Sequence, residues 1–541
     1  MRRGYSGPER GLPSATVRRP SGEQGRKHMT EINRRDLLRG SAAAGALALA
    51  GLPIEALAAG VQQLVVQSGA LNSLDPAHQI SAGDEGRVAI LVSNALLRYA
   101  AGDKFDLVPD LATGYEVGDG GKTYTFKLRQ DVQWHGGFGK FTARDVKWSI
   151  ERILDPATKS RNAGQFKDVA GVDIVDDHTV RFRLKEPSAV FPHAVATFRG
   201  GFMMCEAAAK AQGADYGKMV IGTGPFMLEK AVLDQEIVLK RNDAYFGDKP
   251  KLEKITFRVI RESSTASLAF ERGQLDLIDV NDREQTDRYA KDPKSTLMIS
   301  SVTTGLYLLT FNTAKAPFDK KEVRQAFQHA LNKKAIVDAV YAQRGRVVDS
   351  VVPPGVEGYT EVKSYPYNPE LAKKMLADAG VKDLKCSLTV PTSYQREAVM
   401  IQAQLKQVGI TLDIKLIDRP TWFRALGQSE HDIIWNAHFR APAADAFLYP
   451  SYHSSNQPPK GTNCAFYAGV DELIDKARVT FDEKARTDLY AQALRRIAED
   501  SPAIPLTLEL NTYVTRKSVK DINVYRVPEN APVLERAYIE K

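Results

Sequence analysis

The sequence predicts an α/β protein with mainly buried sheets, and three observations carry that expectation. Short runs of alternating apolar and polar residues recur along most of the chain and are separated by segments of helical periodicity. Gly, Asn and Asp punctuate the junctions between them. Hydrophobic residues make up 43% of the 541 residues and charged residues 26%, the balance of a globular protein with a real core. That length accommodates roughly two to four domains.

The elements follow in order. Tyr124, Phe126 and Leu128 alternate with polar residues after the turn Asp119-Gly120-Gly121, which predicts a half-buried strand. Thr142-Ala143-Arg144-Asp145 reads as a capping box for a helix whose apolar face carries Val146, Ile150, Ile153 and Leu154. Val180, Phe182 and Leu184 form a second alternating strand, and Ile255, Phe257 and Val259 a third. The helix after that third strand is expected to close at Gly273, a left-handed cap. Asp319 is expected to cap a helix that buries Val323, Phe327, Ala330 and Leu331. Asn368-Pro369 opens another helix, with proline where its missing N–H costs nothing, and Gly380 ends it. Leu412, Ile414 and Leu416 predict a strand, as do Ile433 to Trp435 and Ile504 to Leu510, with a long helix from about 483 to 499 before the last of these.

The formal net charge of +8 is concentrated at the start. The first 58 residues hold ten Lys/Arg and five acids, leaving +3 for the rest. No basic run is interleaved with aromatics, so nucleic acid is not an expected partner. Cys205, Cys386 and Cys464 are far apart and form neither a disulfide framework nor a zinc-ligand spacing. They are expected to be buried thiols.

The sharpest local signal is near the N-terminus. Arg34-Arg35 is followed by Leu37, Leu38 and Arg39, then by a weakly apolar stretch from Gly40 to Leu52 and the small-x-small site Ala56-Leu57-Ala58. A basic region, a short apolar core and such a site define a secretory signal peptide, and the core is too short for a span of about 20 residues. The paired arginine resembles the twin-arginine export signal, with Leu37 in the place usually taken by Phe. The expected product is a periplasmic protein cleaved near Ala58, exported by the twin-arginine machinery. Met29 is an alternative start that sets the arginines where such a signal wants them.

Catalytic motifs are not found. Gly118-Asp119-Gly120-Gly121-Lys122-Thr123 ends like a phosphate loop, but the required first glycine is Glu116, so a turn between strands is expected. Gly427-Gln428-Ser429-Glu430-His431 lacks the closing glycine of a hydrolase elbow. No His-Glu-x-x-His occurs, and Trp134-His135 is expected in an exposed loop. No cofactor and no metal are expected.

The ordered landmarks carry a family resemblance. They are Leu74-Asp75-Pro76, Leu107-Val108-Pro109-Asp110-Leu111, Thr123 to Arg129, Phe141 to Val146, Gly222-Thr223-Gly224-Pro225-Phe226, Asn242 to Phe246, Gly273-Gln274-Leu275-Asp276, Pro317-Phe318-Asp319 and Val323-Arg324-Gln325-Ala326. In this order the chain resembles the family 5 extracytoplasmic solute-binding proteins of bacterial ABC importers, which include dipeptide and oligopeptide binders. The resemblance implies a periplasmic-binding-protein-like two-lobed fold with a hinge and an extra subdomain. It would place the first lobe at 59–93, 216–312 and 502–541, the subdomain at 94–215 and the second lobe at 313–501. It also implies capture of a small solute, peptide in the first place, between the lobes, without covalent chemistry, and delivery to the importer's permease subunits.

The family's peptide binders hold the peptide amine with an Asp three residues after a Trp. The matching segment here is Trp435-Asn436-Ala437-His438, with His438 at the Asp position. An imidazole cannot hold an ammonium as a carboxylate does. Asp445 is a candidate replacement, and Arg440 would instead favour an acidic ligand. Trp422, Tyr307 and Asn312 complete the expected solute site by the same resemblance. An opine, a sugar derivative or another acidic metabolite is therefore an alternative ligand, and a secreted hydrolase a more distant alternative.

Replacing Arg34 and Arg35 together with Lys keeps the charge and removes the pair. Cell fractionation is expected to find the protein retained in the cytoplasm, whereas the unaltered chain accumulates in the periplasm.

Overall fold

Two large sheets, joined by two strand-to-strand crossings, organise the chain. The computed structural model describes residues 62–541 apart from 79–84, 101–104, 198, 281, 301–302, 429, 440, 523–532 and 541. The leader with Arg34, Arg35 and Ala58 lies outside the described residues, as does Arg440.

The first sheet has seven strands in the order Ser295–Ile299, Thr512–Arg516, Leu277–Asp279, Gln63–Ser68, Lys254–Val259, Glu236–Arg241 and Phe226–Val232. Gln63–Ser68 pairs in parallel with both its neighbours, and the other pairs are antiparallel. Its Leu64 and Val66 are fully buried, as expected of a strand in the middle of a sheet. The second sheet has six strands in the order Gly345–Val347, Ala503–Glu509, Gly305–Phe311, Ile433–Phe439, Lys385–Pro391 and Thr411–Ile417. Every residue of Gly305–Phe311 is buried. Helices Lys321–Ala330 and Gln395–Gln407 cover one face of this sheet through Val323, Phe327, Ala398, Ile401 and Leu405.

The chain passes between the sheets at 300–304 and again at 510–511. There the Ser300 N–H donates to the Asn511 carbonyl (2.9 Å), and the Asn511 N–H donates to Ser300 Oγ (2.9 Å). Sequence reading assigns 305–311 and 503–509 to the first lobe, but both strands pair inside the second sheet. A strand buried along its whole length needs hydrogen-bonding neighbours on both edges, and Gly305–Phe311 finds them in Ile433–Phe439 and Ala503–Glu509.

The subdomain is a four-stranded antiparallel sheet in the order Ala112–Gly118, Thr123–Leu128, Thr179–Leu184 and Val169–Asp176. Tyr124, Phe126, Val180 and Phe182 face inward with Val146, Ile150 and Ile153 of the helix Ala143–Leu154. The expected capping box is present, with the Thr142 N–H donating to Asp145 Oδ2 at 3.0 Å. Asp119, Gly120 and Gly121 all have positive φ, so the stretch that resembles a phosphate loop is the hairpin turn.

The subdomain is fastened to the first lobe by buried polar contacts. Arg152 grips Asp75 with two bonds of 2.8 and 2.6 Å. Thr223 Oγ1 donates to Asn94 Oδ1 at 2.9 Å. Gly222 and Gly224 lie against the Leu91 and Val92 carbonyls, where any Cβ would collide. Trp134 and His135 are buried here, not in an exposed loop. His135 Nε2 lies 2.9 Å from the Gly224 carbonyl, and burial lowers its pKa to about 4 against the opposing pull of that bond. Asp319 does not cap its helix, which spans Lys321–Ala330 after Lys320. The Asp319 N–H is held by the Lys315 carbonyl (3.0 Å), which fixes the residue in the preceding turn. Gly273 and Gly380 have positive φ as expected, and the three cysteines are buried and free. Among the described residues no helix is long and apolar enough to cross a membrane.

Asp75→Ala leaves Arg152 partly buried without its carboxylate. Denaturant unfolding is expected to show a loss of about 3–5 kcal/mol, with protease cleavage appearing first in the subdomain.

Candidate functional site

The expected site residues other than Arg440 each have a definite place, and the places divide into two groups. The strand Ile433–Phe439 alternates its side chains across the second sheet. Ile433 and Trp435 point into the core under the helices, whereas Ile434, Asn436 and His438 take the other face. Trp435 and His438 are three residues apart on one strand, so they do not share a wall.

Trp435, expected on a cleft wall, is fully buried. Its ring stacks on Tyr394 with centroids 4.9 Å apart and lies 5.9 Å from Tyr307. Tyr307 is part of the same core: its hydroxyl donates to Glu509 Oε2 (2.5 Å) and accepts from Tyr394 (3.1 Å). Burial raises the Tyr307 pKa well above its ordinary value, and the Glu509 charge adds to that. Asn312 is also internal. Its amide donates to the His431 carbonyl at 3.2 Å and its backbone N–H to the Asp432 carbonyl at 2.9 Å, which ties two neighbouring strand ends together. Trp422 is buried against Ile434 and Cys464 and donates its indole N–H to the Trp435 carbonyl at 2.7 Å. These four residues shape the second lobe from inside it.

His438 and Asp445 form the second group. The helix Ala444–Tyr452 lies over the His438 face, setting Ser451 Oγ 3.4 Å from His438 Nε2 and the Phe447 ring 6.1 Å from the imidazole. His438 is 1% exposed, so its ring is a packed group of this layer. Asp445, on the same helix, is largely buried, and burial raises its pKa, with the Arg478 charge opposing. Arg478 Nε stands 3.7 Å from its carboxylate, and Tyr490 donates to it at 3.5 Å. Asp445 is thus already partnered within the protein, and through Arg478, which also lies 3.6 Å from Asp168, it stands at the edge of the subdomain.

A polar cluster that sequence reading missed lies beside them. His193 of the subdomain sets Nε2 3.0 Å from Glu357 Oε2 and Nδ1 3.2 Å from the Tyr99 hydroxyl. Arg486 of the helix Glu483–Asp500 donates to Glu357 Oε1 at 2.8 and 3.1 Å. Burial alone would raise the Glu357 pKa, but His193 and Arg486 outweigh it and hold the carboxyl at about 2. Nothing in the sequence joins residues 99, 193, 357 and 486, because no motif spans such separations. No group of three or more His, Cys, Asp or Glu among the described residues is arranged to hold a metal.

Comparisons with known proteins bear on this geometry. A family model described as bacterial extracellular solute-binding proteins, family 5, matches residues 106–459. A twin-arginine translocation signal model matches residues 31–51. The chain is similar to di/tripeptide-binding protein 1 of Pseudomonas aeruginosa, with 30% identity over 514 residues, covering 89% of this chain and 94% of that one. It is also similar to the glutathione-binding protein GsiB of Salmonella typhi, with 31% identity over 415 residues, 74% of this chain and 80% of that one. Among solved structures it resembles the binding protein MoaA of Agrobacterium tumefaciens R10 in complex with mannopinic acid. The TM-score is 0.76 at 29% identity, covering 89% of this chain and all of that one.

The burial pattern gives a direct optical test. Of the four tryptophans, Trp134, Trp422 and Trp435 are buried and only Trp148 is half-exposed. Iodide quenching is expected to act on a minor share of the fluorescence, and Trp148→Phe to abolish most of it.

Proposed function

Because the chain belongs to the bacterial extracellular solute-binding proteins of family 5, we propose that it captures a peptide-sized solute between its lobes and delivers it to the permease subunits of an ABC importer. The protein is an exported, periplasmic binding protein carrying a twin-arginine signal. The observation that carries the capture reading is the pair of crossings at 300–304 and 510–511, since two lobes joined by two threads can close on a solute that touches both. Solute contacts made only in the closed form shift the population toward it. The reading assigns the protein no covalent chemistry, and its expected routing is through the twin-arginine machinery.

A short peptide is the first ligand. The relative named as a di/tripeptide binder supports it, with 94% of its length matched. The amine contact would then come from a group other than His438, which is packed on Ser451, or Asp445, which is held by Arg478 and Tyr490. An acidic solute such as an opine is the second reading. It is favoured by those occupied side chains and by the likeness to a protein solved with mannopinic acid.

The test is to purify the protein from the periplasm, denature it and identify the released solutes by mass spectrometry. A short peptide is expected; an acidic non-peptide would select the second reading. Titration with the identified solute is expected to saturate at one per chain, and the solute is expected to be recovered unchanged after long incubation.

A further inference from the structure

The subdomain and the second lobe meet in a contact that neither shares with the hinge. The subdomain leaves the first lobe after the helix Glu85–Val92 and returns before Phe226–Val232, so both its connections are to that lobe. The Arg152–Asp75 pair and the Asn94–Thr223 and His135–Gly224 bonds hold it there. The second lobe is reached only through the crossings at 300–304 and 510–511. If the second lobe swings about those crossings, the subdomain stays with the first lobe, and whatever joins the subdomain to the second lobe must part.

What joins them is a polar cluster set beside a shared apolar core. Tyr99 and His193 come from the subdomain, and Glu357 and Arg486 from the second lobe. The Ala189 N–H donates to the Arg478 carbonyl at 2.7 Å. Arg478 also lies 3.6 Å from Asp168 of the subdomain and 3.7 Å from Asp445 of its own lobe. Gly121 lets the hairpin turn approach the Phe481 ring, where a Cβ would collide with it. Apolar side chains from both sides continue the contact, among them Phe191 and Phe447.

We propose that this junction is a latch: a closing contact whose Tyr99–His193–Glu357–Arg486 chain keeps the lobes together and parts when they open. Ion pairs suit such a contact. Their attraction when paired is offset by desolvation, and each partner regains water when they separate. The inference rests on the two-lobed capture reading, but it concerns residues that hold the closed form without meeting the solute.

Hydrogen–deuterium exchange on the exported mature chain tests this without any solute. The Ala189 amide exchanges only when its bond to Arg478 opens, so peptides covering 186–197 and 476–482 report the junction. Glu357→Gln keeps the shape and removes the charge. It is expected to speed exchange in both peptides on the order of tenfold, because one partner of a buried charge network is lost. The strands Thr123–Leu128 and Thr179–Leu184 are expected to stay protected. Tyr99→Phe, which removes one hydroxyl, is expected to give a smaller increase in the same peptides. Unchanged exchange at the junction in Glu357→Gln would overturn the latch. So would an equal rise in the subdomain strands, which would make the cluster a support of the subdomain fold. Neither outcome bears on whether a solute co-purifies, so failure here leaves the capture reading standing.

Discussion

The paired crossing at Ser300 and Asn511 is the constraint on which the rest of the architecture depends. Ser300 and Asn511 meet there, and each supplies a backbone group to a hydrogen bond with the other. Because the joined segments are strands at both ends, the sheets cannot be closed by local chain alone. Thr512–Arg516 must return to lie between Ser295–Ile299 and Leu277–Asp279. Each side of the crossing is stiffened just beyond it. On the second-lobe side Glu509 is held by Arg344 (2.8 Å) and Tyr307. On the first-lobe side Arg87 pairs with Asp279 at 2.8 Å beneath the Tyr513 ring. Deformation is thereby concentrated in the few residues between two stiff bodies, which is the requirement for a hinge.

Local pattern carried much of the fold into view. Alternation in Thr123–Leu128 and Thr179–Leu184, the capping box at Thr142 and the glycines at 273 and 380 act within a few residues, and the structure places each where its chemistry asks. The lobe boundaries were less legible, because sheet membership is decided by pairing over long separations. Nothing within 305–311 says that its neighbours are 433–439 and 503–509. Trp134-His135 misled for a related reason. Flanking glycines suggest a loop, and the segment is one, but the Gly222–Pro225 stretch packs over it and seals it from water.

The site was legible in part, and the reason lies in strand parity. A residue and the third one after it point to opposite faces of a strand. Once Ile433–Phe439 is a strand along its whole length, Trp435 and His438 cannot line one wall. Trp435 belongs to an internal aromatic stack with Tyr307 and Tyr394, and its role is to hold the strand that presents His438 on the reverse face. Trp422 supports the same strand from that reverse side through its bond to the Trp435 carbonyl. The aromatic and amide residues assigned to the solute by resemblance are thus packed within the second lobe.

A binding protein that must release what it holds cannot be closed by apolar contact alone. Burial contributes about 25 cal/mol per Å² of apolar surface, so a wholly apolar seam of ordinary interface size would hold the lobes shut whether or not a solute was present. A seam of paired charges behaves differently, since separation returns each group to water and the net difference stays small. The Arg152–Asp75 fork binds the subdomain to the lobe from which it emerges, while Glu357, His193, Arg486 and Arg478 meet beside the apolar core that it shares with the other. The solute's own contacts then decide the balance only through their difference between the two states, because a ligand can shift an equilibrium only by its differential affinity for them.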